Sequence, residues 1–444
     1  MRLQFVAAEA APLVKVGGLG DVIGALPAAL RALGHDVRVL MPCYHGLTAA
    51  DAPVLWSGFE RFVETSVPVR VIAATPTILL VDCPQAFDRE QVYGEQDDGD
   101  RFALFARAAL AFLAADEWKP EVIHAHDWHA ALACVLERST PTVLTVHNLA
   151  FQGWREAAFA RREGLELDAG GDGINLLARG IASATAVTTV SPTYAEEIST
   201  PADGMGLDAL LRERRVRGIV NGIDTDMFNP ATDRSLASPF DVRTLAARAP
   251  NRTALLARLR LHDDPAAPLL GAVTRLFDQK GLDLVLAAAP ALLRRGARIV
   301  VLGTGDPVLE QGFRELAAQY PQSVAAVIDF DVQLAQQIYA GSDVFLMPSR
   351  FEPCGLGQLI AMRYGAVPLV RRTGGLADTV QHGHTGFLFD EATPEALIDA
   401  FDEALAAFRT PALWRALQTR AMVADHSWDA SARAYAQLYA SLTT

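Results

Sequence analysis

A seven-residue pattern occurs twice in this chain, each time behind an apolar run and ahead of a helix-like one. Lys15-Val16-Gly17-Gly18-Leu19-Gly20-Asp21 follows Leu3–Ala8, and Arg372-Thr373-Gly374-Gly375-Leu376-Ala377-Asp378 follows Val367–Val370. A glycine pair between strand and helix lets bare backbone come close to a partner. It also turns the first N–H groups of the helix toward an anion. Two such loops, far apart in sequence, point to two similar domains addressing one ligand that carries phosphate.

The rest of the chain supports that division. Its 444 residues correspond to two or three domains at about 150 residues each. In the first half, strands are expected at Leu3–Ala8, Val37–Met41, Thr77–Val81, Val122–Ala125, Thr142–Val146 and Ala186–Val190. Helices are expected between them: Val22, Ile23, Leu26, Leu30 and Leu33 share one face, and Phe102–Leu113 forms another. A second alternation begins at Leu269–Thr274. It continues through the helix Gly281–Arg294 and the strands Arg298–Leu302, Val324–Phe330, Val344–Met347 and Val367–Val370. Pro27 and Pro290 should kink or shorten their helices. Near-continuous apolar strands alternating with helices mean parallel sheets covered on both faces. The expected fold class is α/β, with two Rossmann-like doubly wound domains facing across a cleft. The first spans 1–228 and the second 265–425. A linker rich in Pro, Asp, Ser and Arg, with one short helix, covers 229–264, and a helical tail, 426–444, returns to the first domain.

Composition excludes several classes. Half the residues are hydrophobic, enough for a sizeable core in each domain. The net charge of −13 argues against nucleic acid as a partner. Cys43, Cys83, Cys134 and Cys354 are dispersed, which suits a reduced cytoplasmic protein better than a disulfide scaffold or zinc site. The N-terminus lacks the apolar region of a signal peptide. No apolar run reaches the ~18 residues of a membrane span.

Four clusters lie where a strand meets the next helix. In the first, Lys15 is a flexible cation beside approachable backbone, or simply a solvated lysine on a tight turn. The second is His124-Ala125-His126-Asp127-Trp128-His129 with Thr145-Val146-His147-Asn148. Three histidines within six residues invite a metal, but no Cys or carboxylate cluster of ligand spacing accompanies them. Packing and capping of the following helix is the competing reading for His124, His126 and His129. His147 ends a strand, where its side chain would project into the cleft. In the third cluster, Arg275 and Lys280 bracket a loop and could clamp a diphosphate. In the fourth, Glu352 stands above a helix N-terminus, followed by Pro353, Cys354, Gly355 and Leu356. Cys354 has no evident base beside it and reads as a backbone donor rather than a nucleophile.

Taken in order, KVGGLGDV, HAHDWHA, VHNLAFQG, TTVSPTY, VNGID, TRLFDQKGLD, PSRFEPCGLGQL and RRTGGLADTV resemble the bacterial glycogen synthase and plant starch synthase family over nearly the whole chain. The resemblance implies a GT-B fold and retaining transfer of glucose from a nucleotide sugar to the non-reducing end of an α-1,4-glucan. It implies that Lys15 and the Gly17–Gly18 backbone contact the donor diphosphate, joined by Arg275 and Lys280. Asp21, Asp127, His147 and Asn221 would line the sugar. Glu352 and the backbone of Cys354, Gly355 and Leu356 would hold its hydroxyls, and Gly374 and Gly375 would add contacts. Tyr93 would sit near donor or acceptor, and Phe330 against the nucleobase. Gln91 and Val92 depart from the family's usual Pro-Gly loop. Ile360 stands where sucrose-type and lipid-glycosylating relatives often carry a second glutamate, which favours the glycogen and starch branch.

The charges imply a mechanism. A departing nucleoside diphosphate gathers negative charge, which Lys15, Arg275, Lys280 and helix N-terminal N–H groups would stabilise. His147 would steady the sugar while the acceptor hydroxyl attacks from the face the diphosphate leaves. No metal and no cofactor is called for, and no carboxylate pair suits double displacement. The motifs favour ADP-glucose over UDP-glucose as donor partner, with glycogen or another α-1,4-glucan as acceptor. The alternatives are a related transferase with a different oligosaccharide or lipid acceptor, and a nucleotide-sugar or glucan binding module without turnover. A dehydrogenase would share the sheet but needs a Gly-x-Gly-x-x-Gly turn after the first strand, which is lacking here.

Overall fold

The computed structural model describes residues 1–47, 52–167 and 171–443. They form two compact units: Met1–Asn221 together with the tail from Trp428, and Gly222–Ser427.

The first unit is built on β1 (Arg2–Val6), β2 (Asp36–Pro42), β3 (Val54–Phe62), β4 (Thr65–Ala73), β5 (Ile78–Asp82), β6 (Val122–His126) and β7 (Thr142–Val146). A separate two-stranded antiparallel sheet, β8 (Trp154–Glu156) and β9 (Gly173–Asn175), precedes β10 (Ala186–Thr189) and β11 (Arg217–Gly218). The main sheet runs β11-β10-β7-β6-β1-β2-β5-β4-β3. From β11 to β5 every pairing is parallel. The hairpin β3–β4 closes the edge antiparallel. β1 lies at the centre, with Phe5 opposite Val39 on one side and His124 on the other.

The second unit holds β12 (Leu269–Val273), β13 (Arg298–Leu302), β14 (Val324–Val327), β15 (Val344–Met347), β16 (Val367–Arg371) and β17 (Phe387–Phe389). Their order is β14-β13-β12-β15-β16-β17, all parallel. Successive residues of β12 enter opposite cores: Leu270 and Ala272 join one cluster and Leu269 the other. Both faces are therefore covered, as a parallel sheet requires. Counted within this unit, the order is 3-2-1-4-5-6, the doubly wound arrangement of dinucleotide-binding domains. The switch point falls between β12 and β15 here and between β1 and β6 in the first unit.

Several expectations are corrected. Pro27 and Pro290, expected to kink or shorten their helices, do not shorten them: the helices run through them as Gly18–Ala32 and Leu282–Arg294. The buried stripe of Val22, Ile23, Leu26 and Leu30 outweighs one missing hydrogen bond. The β14 strand ends at Val327, leaving Phe330 outside it and 84% exposed. Residues 54–73, unassigned by periodicity, form the β3–β4 hairpin.

The stretch 229–264, expected as a linker with one short helix, lies within the second unit. It carries a 3-10 helix, Val242–Arg248, with a capping box at Asp241 and Thr244, then the helix Ala249–Arg258. Arg248 is buried and donates to the carbonyls of Tyr364 (2.9 Å), Tyr339 (3.2 Å) and Ser342. Burial lowers its pKa to about 10. The tail helix Trp428–Leu442 packs within the first unit, where Tyr439 Oη meets His124 Nδ1 at 2.7 Å.

Arg248→Met keeps the apolar stem but strands three buried carbonyls. It is expected to destabilise the second unit by about 2–4 kcal/mol, read from its denaturant midpoint.

Candidate active site

The chain leaves β1 at Val6 and reaches Glu9, which is 3% exposed. Glu9 Oε2 accepts from the backbone N–H groups of Val16 (2.7 Å) and Gly17 (3.0 Å). Its Oε1 accepts from the Tyr93 hydroxyl at 2.7 Å. The amides ahead of the first glycine pair are thus occupied by a carboxylate of the protein itself. Gly17 and Gly18 still face open space: a Cβ on either would meet nothing within 4 Å. Lys15 Nζ reaches Asp21 Oδ1 at 2.8 Å. Burial raises the Asp21 pKa, and Lys15 opposes that rise.

β6 supplies the next group. His124 is held by Tyr439 on one ring nitrogen and by Thr145 Oγ1 on the other, at 2.6 Å. His126 Nδ1 lies 3.0 Å from His147 Nε2. Asp127 opens the following helix with a left-handed backbone, φ +55°. Its carboxylate accepts the His147 backbone N–H at 2.7 Å and also that of Asn148. Burial nevertheless pushes the Asp127 pKa up to about 7. Burial drives His147 down to about 3, so its imidazole is neutral near pH 7.

His129 packs in an aromatic nest, 4.5 Å from the Tyr93 ring and 4.7 Å from Phe102. Among the described residues, no group of three or more His, Cys, Asp or Glu side chains is arranged to hold a metal ion. Asn221 is buried, and among the described residues its side-chain oxygen has no hydrogen-bond partner.

In the second unit, β12 gives way to Thr274 and Arg275. Arg275 is exposed, with its guanidinium 5.6 Å from the Phe277 ring. Among the described residues it has no carboxylate partner. Lys280 closes a short 3-10 turn, and its Nζ meets Glu352 Oε2 at 2.7 Å. Ser349 Oγ donates to the same oxygen at 2.9 Å. Arg350 forks onto Asp283 at 2.8 and 2.7 Å, tying the same two loops from outside.

The second glycine pair behaves unlike the first. Gly374, at φ +44°, lies against Glu352: a Cβ there would come within 2.0 Å of its carbonyl oxygen. A Cβ on Gly375 would stand 2.3 Å from the Cys354 oxygen, and Gly375 N–H donates to Glu352 O at 3.1 Å. Gln358 Nε2 donates to the carbonyls of Cys354 and Gly355, both at 3.0 Å. Leu356 then caps the helix Gly357–Arg363 with no side-chain hydrogen bond. The pair at 374–375 is a mould for the Glu352 loop.

Each unit therefore gathers its candidate residues at its own switch point. Glu9, Lys15, Gly17, Gly18 and Asp21 follow β1, Asp127 follows β6 and His147 follows β7, while Tyr93 reaches Glu9 from the segment after β5. Arg275, Lys280, Glu352, Cys354, Gly355 and Leu356 collect after β12 and β15. Phe330 stands on the same sheet edge, beyond β14. Sequence reasoning passed over Glu9 and Ser349. Glu9 did leave a signal, a lone carboxylate ending an apolar run; Ser349 left none.

Two outcomes are expected from this geometry. Gly374→Ala is expected to destabilise by more than about 2 kcal/mol, because the carbonyl must move and φ is positive. Gly17→Ala should leave the denaturant midpoint unchanged, and equal shifts for the two would contradict the assignment. For Asp127, the folded chain holds the proton up to about pH 7, while an unfolded carboxyl releases it near pH 4. This contribution to stability is complete below about pH 4 and is lost as pH rises through about 7. Asp127→Asn removes the titration and keeps an acceptor for both amides. Its stability relative to the parent should climb from about pH 4 to about pH 8, and denaturant midpoints at both ends test it.

Comparisons with known proteins bear on the fold and the family. Residues 2–213 match the starch synthase catalytic domain model, and residues 267–407 match the glycosyl transferases group 1 model. A glycogen synthase of Gloeobacter violaceus is 46% identical over 100% of this chain and 99% of its own. Glycogen synthase 2 of Agrobacterium fabrum is 44% identical over 100% of this chain and 93% of its own. Among solved structures, the catalytic domain of starch synthase IV from Arabidopsis thaliana, bound to ADP and acarbose, aligns with a TM-score of 0.92. It is 34% identical and covers 99% of both chains. A sucrose-phosphate synthase from Thermosynechococcus elongatus shares the fold at 20% identity and a TM-score of 0.66. With two Rossmann-like units and relatives this similar along its whole length, the chain belongs to the bacterial glycogen synthase and plant starch synthase family of GT-B glycosyltransferases.

Proposed function

We propose that this protein is a retaining glucosyltransferase that moves glucose from ADP-glucose to the non-reducing end of an α-1,4-glucan such as glycogen. The observation that carries the reading is the second unit's switch point. A buried carboxylate, Glu352, is already neutralised there by Lys280, while Arg275 stands exposed and unpaired among the described residues. An unpaired guanidinium at the carboxyl end of a doubly wound sheet is a ready partner for diphosphate. The Arabidopsis relative with bound ADP supports the choice of donor.

In this reading Arg275 takes the leaving diphosphate, with Lys280 adding positive charge from its place on Glu352. Glu352 Oε1 accepts from glucosyl hydroxyls, alongside the backbone of Cys354, Gly355 and Leu356. In the first unit, Lys15 and the Gly17–Gly18 backbone serve the donor. Asp21, Asp127, Tyr93, Asn221 and the neutral His147 serve the sugar. The bond between C1 and the diphosphate oxygen breaks, and the acceptor O4 bonds to C1 on the same face. The acceptor proton passes to the departing phosphate. Phe330, exposed and planar, is the candidate platform for the nucleobase.

We also set the reaction in the cytoplasm. All four cysteines are free, as suits a reducing compartment. Among the described residues, no helix is long and apolar enough to cross a membrane.

Nucleoside diphosphate release from ADP-glucose, and separately from UDP-glucose at the same concentration, should depend on added glycogen and favour ADP-glucose. A binding module would release none. Arg275→Ala should lower kcat/KM by about 10²–10³ with little change in melting temperature. Turnover close to the parent's would remove Arg275 from the phosphate clamp.

A further inference from the structure

We propose that Glu9 is a positioning residue for the transfer reaction, its carboxylate joining the Lys15–Gly18 loop to Tyr93 and fixing the direction of the hydrogen bonds between them. This rests on the glucosyltransferase reading above, in which both partners face the donor sugar.

The first support is the cost of the arrangement. Glu9 is 3% exposed, and among the described residues it forms no ion pair. Its donors are two backbone amides and a phenol, all neutral. A buried carboxylate without a cation is expensive to keep. A neutral amide could bridge the same atoms at lower cost if a tether were all that was needed.

The second support is direction. An ionised carboxylate only accepts, so Tyr93 must donate to it. The Tyr93 oxygen is then left as an acceptor, the polarity a sugar hydroxyl would meet. A glutamine at position 9 would leave that polarity undefined, because its amide can both donate and accept. The ring of Tyr93 is fixed as well, lying 4.5 Å from His129 and 6.2 Å from Phe102.

The third support is the fit of the loop. The N–H groups of Val16 and Gly17 tie the turn ahead of the helix to Glu9, and Lys15 leaves it toward Asp21. A Cβ on Gly20 would stand 3.1 Å from Glu9 Oε2 and 3.2 Å from Lys15 Cα, so the loop is wrapped closely on the carboxylate. The second copy of the motif has Ala377 at the matching position. The two copies thus differ at the residue that packs on Glu9.

The test compares the full-length parent with Glu9→Gln, Tyr93→Phe and the double variant. For Glu9→Gln, kcat should fall at least about tenfold and the ADP-glucose KM rise at least about threefold, with the glycogen KM within about twofold. A general structural defect would not spare the acceptor KM in this way. Because Tyr93 is directed through Glu9, the double variant should match the worse single variant rather than the product of the two losses. Kinetic constants for Glu9→Gln within about twofold of the parent, or fully multiplicative losses, overturn the proposal. If Glu9→Gln fails to fold, Tyr93→Phe alone decides, since it removes a single oxygen. A kcat within about twofold of the parent then counts against the tie. If the parent itself shows no glucan-dependent turnover, the transferase reading fails. The role of Glu9 is then read from ADP affinity by calorimetry, where Glu9→Gln should bind at least about fivefold more weakly and unchanged affinity overturns it.

Discussion

A carbonyl oxygen and a Cβ cannot occupy the same space, and the second unit is arranged around that exclusion. The Pro348 carbonyl fills the position a side chain would take on Gly281, at 2.1 Å from an ideal Cβ. The Glu352 carbonyl does the same to Gly374 at 2.0 Å. Three loops from distant parts of the chain are thereby held backbone to backbone. Lys280 and Glu352, 72 positions apart, are brought to 2.7 Å without a long ordered tether. Ser349 and the Arg350–Asp283 fork then secure side chains whose main chains are already fixed. Backbone contact sets the distance, and charge makes use of it.

The two units stabilise buried acid groups by different means. In the second, Glu352 has a cation at hydrogen-bond distance. In the first, Glu9 and Asp127 are held chiefly by backbone N–H groups. Amide dipoles only partly offset the loss of water, which is why Asp127 rises to about 7 despite two such donors. The same dry surroundings keep His147 neutral. The first unit therefore holds its buried acids on neutral donors, beside a neutral His147. The second pairs its buried acid with a cation and, among the described residues, leaves Arg275 without a carboxylate partner. This contrast comes from which atoms surround each acid, and it needs no difference in fold.

Much of the fold and site was legible because parallel strands buried on both faces leave long apolar runs. Arg298–Leu302 and Thr142–Val146 can be read from the sequence to the residue. The functional clusters were legible because a doubly wound sheet places its loops at strand ends, where composition changes abruptly. The hidden features depend on partners that sequence does not display. Glu9 bonds to backbone amides, which every residue possesses. Pro27 looks like a helix breaker until the buried stripe around it is known. The stretch 229–264 has linker composition, but its Arg248 serves three carbonyls from distant turns.

The doubled glycine motif shows why local likeness does not decide function. Both copies leave a strand and open a helix, and both lack bulk where backbone must pass. Around Gly374 and Gly375 that missing bulk is filled by the chain's own Glu352 loop; around Gly17 and Gly18 the space stays open. The difference lies in the path the chain takes out of the neighbouring strand. Beyond β15 it turns back toward the glycines through Pro353, whereas beyond β6 it enters a helix at once through the left-handed Asp127. A glycine pair grants close approach but does not choose the visitor. The neighbouring loop sets how much room is left: beside Gly374 and Gly375 it fills the space, and beside Gly17 and Gly18 the described residues leave it open.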